Sequence, residues 1–131
     1  MADPISPAHY QHGTIQTIEL IELLRADFCL GNAIKYLTRA GRKTADPVED
    51  LLKCRWYLTR AINYPSESSL PPPPPPTETL LDLARGCVDY ADLYPVLTAI
   101  AHACACPLTE RRTHLEVARI ALNVALNARS A

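Results

Sequence analysis

Glycine is scarce in this chain: only Gly13, Gly31, Gly41 and Gly86 occur among its 131 residues. No G-x-x-x-x-G-K-[ST] phosphate loop, no G-x-G-x-x-G turn and no G-x-S-x-G elbow can be read in it, which excludes glycine-cradled nucleotide sites and the usual serine-hydrolase arrangement. Any phosphate site must therefore be built from side chains or helix N-termini. Aromatics are also few, with one Phe, one Trp and six Tyr, while 48% of residues are hydrophobic and 21% charged. Leu, Ile, Val and Ala must fill the interior, a composition that favours helices over a sheet. A run of 18 apolar residues is missing, as is a charged start followed by an apolar stretch, so neither a membrane span nor a signal peptide is expected and the protein is placed in the cytoplasm. The net charge of −1 leaves no overall basic field, which disfavours duplex nucleic acid as a partner.

Five cysteines (Cys29, Cys54, Cys87, Cys104 and Cys106) are present. An odd number in apolar surroundings, in a reducing compartment, reads as buried thiols and not as a disulfide framework. Cys104 and Cys106 have no second pair at zinc-ribbon spacing, so no metal is expected there.

Charge is uneven along the chain even though its total is small. Residues 31–60 hold seven basic side chains against three acidic ones, a local balance of +4, whereas residues 1–30 carry −3 and residues 61–95 carry −4. Such concentration suits a small anionic ligand. Six consecutive prolines, Pro71 to Pro76, follow a Ser-rich stretch. They predict a polyproline II spacer of roughly 19 Å at ~3.1 Å per residue. The expected architecture is all-α: a small bundle of about five to six helices, with a helical module over 7–64, a linker over 65–76 and a C-terminal helical region over 77–131.

Periodicity places a largely apolar, buried helix from Ile15 to Phe28, with Leu20, Ile21, Leu24 and Phe28 on one side. Gly31-Asn32 reads as punctuation, followed by a short helix to about Ala40 that Gly41 ends. Asp46-Pro47-Val48-Glu49 is a start signal for a third helix running to about Asn63. Thr77 or Thr79 caps the next helix, through about Ala84. Pro95 and Pro107 mark two more, the last spanning Thr109 to about Asn127. That last helix is apolar enough to need a partner, either the core or another copy of the chain.

On a helical projection Asn32, Lys35, Tyr36, Arg39 and, past the helix end, Arg42 and Lys43 share one face, opposite Ala33, Ile34, Leu37 and Ala40. No acid interleaves at i±4, as a merely solvated basic face would have. Lys and Arg suit phosphate oxygens, Tyr36 offers a plane for a base and Asn32 an amide to read a base edge or ribose. The third helix repeats the pattern with Asp50, Lys53, Tyr57 and Arg60. Arg55 falls in its apolar stripe and calls for a carboxylate, with Glu19 and Glu22 of the first helix as the economical partners. Those acids, with Asp46, Glu49 or Asp50, could alternatively hold Mg²⁺, although the second E-x-x-D such a site needs is missing.

Pro7-Ala-His9-Tyr10, then Gly31-Asn32-Ala-Ile-Lys35-Tyr36-Leu-Thr-Arg39, then Glu49-Asp50-Leu-Leu-Lys53-Cys-Arg-Trp56-Tyr57-Leu resemble the pattern of a small, mostly bacteriophage-encoded family of formerly unknown function, labelled nucleotide-kinase-like. The resemblance covers residues 7–62. It implies a helical nucleotide-binding module in the cytoplasm of an infected bacterium, and adds His9, Tyr10 and Trp56 to the candidate ligand-binding set. Three functions are carried forward. The first is a protein that holds a nucleotide, such as a cyclic or ADP-ribose-type signal, without turning it over. The second is a Mg²⁺-dependent nucleoside-monophosphate kinase or nucleotide pyrophosphohydrolase, and the third an adaptor using the proline tract. Single cationic faces on short helices cover little of a ligand, so a homo-oligomer with the site near or across an interface is expected.

Overall fold

A computed structural model describes residues 11–129 apart from 13–14, 43 and 66–72. A two-residue antiparallel pair, β1 (Gln11–His12) with β2 (Ile15–Gln16), leads into six helices: α1 (Thr17–Leu24), α2 (Phe28–Arg39), α3 (Val48–Asn63), α4 (Glu78–Arg85), α5 (Tyr94–Ala105) and α6 (Leu108–Arg129). A 3₁₀ turn at Ala91–Leu93 precedes α5. The all-α class is as expected from the composition.

Local chemistry explains most boundaries. Asp46 Oδ1 accepts from the Val48 amide at the start of α3, and Thr77 Oγ1 accepts from the Leu80 amide at the start of α4. The Thr77 bond is an N-cap contact, the Asp46 bond an Asx-type turn just ahead of the N-cap Pro47, and both satisfy otherwise orphaned amides. Pro95 stands in the first turn of α5, where its missing N–H costs nothing. The first helix departs from expectation. It ends at Leu24, where Arg25 adopts φ 51°, and Asp27 then caps a new helix by accepting from the Leu30 amide at 2.9 Å. Gly31 is consequently inside α2 and buried. A Cβ there would sit 3.4 Å from Ile21 Cγ2, an ordinary contact that reflects the closeness of α1 and α2.

The two sequence halves share one core. The packing of α2 on α3 and of α5 on α6 is most extensive, and α3 also lies against α6 and α2 against α5. Leu20, Ile34, Leu37, Leu51, Leu58, Leu97, Ile100 and Leu122 are fully enclosed in this single cluster. Pro73 to Pro76 are neither helix nor strand, and Pro73 is buried. All five cysteines are free thiols, with Cys54, Cys87 and Cys104 buried. Among the described residues no helix is long and apolar enough to cross a membrane.

Candidate functional site

The helices α2 and α3 lie side by side, and their shared outer edge carries the residues singled out above. Tyr36 is at the centre. Lys35 Nζ, Arg39 Cζ and Lys53 Nζ stand 5.2, 4.7 and 5.4 Å from its ring centroid. Tyr57 stacks on it, centroids 5.8 Å apart and planes 15° from parallel. Phe28 and Trp56 meet Tyr57 edge-on, at 6.2 and 5.0 Å. Four rings and three cations thus form one continuous patch, in which electron-rich ring faces hold the cations close together.

Its members have different jobs. Arg39 is not on an exposed face as the projection suggested: its Nε and Nη2 donate to Asp50 Oδ1 at 3.2 and 2.7 Å, with side-chain exposures of 8% and 6%. A guanidinium on a carboxylate buried this deeply is a structural pair, because either charge alone would be costly. Lys53 makes only an exposed i,i+4 contact with Glu49 at 3.3 Å, the kind of pair that contributes little and exchanges readily. Among the described residues Lys35 has no carboxylate partner. The two lysines are therefore the cations an anion can recruit. Tyr36 is not the open stacking plane the sequence suggested, since Tyr57 and the cations crowd it. The exposed rings are Phe28 and Trp56, at 76% and 60%.

Other expected residues go elsewhere. Arg42 turns away from the patch: it donates to both Asp89 carboxylate oxygens at 3.1 Å and to the Cys87 carbonyl at 2.6 Å, pinning the segment after α4. Arg60 lies over the Tyr64 ring at 4.0 Å. Asn32 spends an amide hydrogen on the Phe28 carbonyl of its own helix, at 2.8 Å. His9, Tyr10 and Lys43 fall outside the described residues.

The expected ion pair of Arg55 with Glu19 or Glu22 is not formed. Arg55 is exposed at the α3–α6 edge and donates to Asn123 Oδ1 at 3.0 Å. Glu19 accepts from the Gln16 amide, closing the start of α1, and Glu22 faces water. Because α1 is short and buries one side only, its acids are never desolvated and need no buried cation. The acids considered for Mg²⁺ are likewise occupied, Asp46 by the Val48 amide, Asp50 by Arg39 and Glu49 by Lys53. No group of three metal-ligating side chains occurs among the described residues.

Two features escaped sequence reasoning. Phe28 was assigned to a buried stripe because one helix was drawn through the Arg25–Asp27 break; the Asp27 cap signal could have found it. Tyr64 with Thr59 and Asn63 lines a groove beside Trp56 that only the outward view of α3 reveals. Residues 5–59 match the model of a family described as a protein of unknown function, DUF3310. The match takes in α1 together with α2 and most of α3, the latter two being the helices that build the patch. No curated protein and no solved structure matches the chain.

Proposed function

We propose that the protein binds a phosphate-bearing nucleotide at the α2–α3 edge and holds it without efficient turnover. The observation that carries this reading is the set of cations gathered around Tyr36 with two of the three, Lys35 and Lys53, free to engage phosphate oxygens. Exposed Trp56 or Phe28 supplies a surface for the base. Neither α2 nor the part of α3 beyond Asp50 contains an acid, and the one exposed carboxylate paired with these lysines, Glu49 on Lys53, is a weak contact that a phosphate can displace. Sequestration is favoured over phosphoryl transfer because Asp50 is closed on Arg39 and no three metal-ligating side chains gather among the described residues, so the residues do not fit Mg²⁺. In the phage setting that the sequence resemblance implies, a cyclic or ADP-ribose-type signal is the class of target.

A thermal-shift series with mono-, di-, tri- and cyclic nucleotides and ADP-ribose, each with Mg²⁺ or EDTA, tests this. Stabilisation that persists in EDTA, with the ligand recovered intact by chromatography, is expected. Mg²⁺-dependent conversion would replace binding with catalysis, and no stabilisation by any of them would overturn the reading. The partner expectation adds a second copy of the chain, because Val117, Ile120 and Val124 form an exposed apolar stripe on α6. Light scattering that shows a monomer at every concentration would remove it.

A further inference from the structure

We infer that the groove along the outer side of α3 is a base-binding tract, and that it extends the nucleotide site to single-stranded nucleic acid spanning several nucleotides. The inference rests on the nucleotide-binding reading and deepens it by naming the ligand class.

The groove encloses about 390 Å³, with Trp56, Arg60 and Tyr64 along it and Arg55, Thr59 and Asn63 at its sides. Trp56 is 60% exposed and Tyr64 63% exposed. Large rings usually bury most of their surface, so two turned outward on one helix and its C-cap signal a binding surface. Arg60 stands over the Tyr64 ring at 4.0 Å, four residues from each ring in sequence. Alternating aromatic planes and cations are what a single strand uses, since every base has a π-face and every linkage a charge.

The tract is continuous with the cationic patch. Trp56 meets Tyr57 at 5.0 Å, and Tyr57 stacks on Tyr36 among the lysines. From Lys53 to Asn63 the helix rises roughly 15 Å at ~1.5 Å per residue, and Tyr64 extends the tract as the C-cap residue. At a stacked rise of ~3.4 Å, that length accommodates roughly three to five nucleotides and exceeds one. Lys53, Arg55 and Arg60 are joined by no acid between Leu51 and Tyr64. Glu49 offsets Lys53 through an exposed contact at 3.3 Å, which leaves Arg55 and Arg60 as the cations of the groove itself. A protein partner would find a wholly aliphatic surface on the Val117–Ile120–Val124 stripe, whereas the groove interleaves Trp56 and Tyr64 with Arg55 and Arg60, a mixture that suits bases and phosphates.

Trp56 is the sole tryptophan and stands where this groove joins the cationic patch, so its emission reports ligand at that junction and the dependence on oligonucleotide length reports the groove. The full-length chain is titrated with oligothymidylates of one, four and eight nucleotides and with the matching oligouridylates. Quenching by the four- and eight-mers, with affinity rising at least tenfold from one nucleotide to four and falling with added salt, is expected. Arg60→Ala combined with Tyr64→Ala should weaken eight-mer binding at least about fivefold, while the mononucleotide thermal shift stays unchanged. Circular dichroism confirms that the variant is folded; if it is not, the length dependence of the unaltered chain decides. Emission indifferent to the eight-mer, or equal affinity for one and eight nucleotides, overturns the inference. If mononucleotides then still stabilise the protein through Lys35, the nucleotide-binding reading survives alone; if they do not, both fall.

Discussion

Arg39 and Lys35 stand four residues apart on one helix, and the structure gives them opposite roles. Arg39 closes on Asp50 in the interior, so Arg39→Ala leaves a buried carboxylate alone and is expected to cost about 3–5 kcal/mol. Lys35→Ala should leave the melting temperature within a degree or two and act only on ligand affinity. Thermal denaturation of the two variants checks both, and a double variant lacking Arg39 and Asp50 together should recover part of the loss. The sequence shows which residues are cationic but not which are already engaged. Asp50 is eleven residues from Arg39 and Asp89 forty-seven from Arg42, so both pairings depend on the tertiary fold. Thiol chemistry is decided at the same scale. Burial holds the Cys54 thiol far above its ordinary range and pushes Cys104 up to about 12. With thiolate the reactive form, a colourimetric disulfide reagent at pH 8 should label Cys29 and Cys106 first, and Cys54 and Cys104 only on unfolding.

Among the elements, those with explicit stop and start residues were legible: α3 from Asp46-Pro47, α4 from Thr77, α5 and α6 from their prolines. The α1–α2 boundary was not, because apolar residues continuing at helical spacing from Leu20 through Leu24 to Phe28 conceal a break made by one left-handed residue and the Asp27 cap. The consequence reached the site, since Phe28 joins the aromatic patch only as the first residue of α2. Gly41, just after α2, has φ 84°, and an added Cβ would meet the Tyr90 hydroxyl oxygen at 2.6 Å. Gly41→Ala therefore combines backbone strain with a clash and should destabilise by about 1–3 kcal/mol, read as a lowered denaturant midpoint with unchanged slope.

At the scale of the molecule, the proline tract separates two sequence segments without separating two cores. Periodicity identified each apolar face but not that α3 would lie against α6, which is set by long-range packing. One tie across the C-terminal half is pH-sensitive. Arg129 donates to both Asp92 carboxylate oxygens, at 2.6 and 3.0 Å, and this hydrogen bonding holds the Asp92 carboxyl below its ordinary range. A lowered folded pKa gives stability that is fully present above the unfolded value, near pH 4, and is lost as pH falls further. Asp92→Asn should therefore remove a small part of the stability at pH 7 and less at pH 3, as thermal melts at the two values would show. The central claim concerns the cations around Tyr36, and calorimetric titration of ATP and of ADP-ribose into the unaltered chain and the Lys35→Ala/Lys53→Ala variant tests it most directly. The account predicts binding to the unaltered chain that weakens with salt and drops at least tenfold in a variant of unchanged melting temperature; equal affinity in the two proteins, or no binding to either, would contradict it.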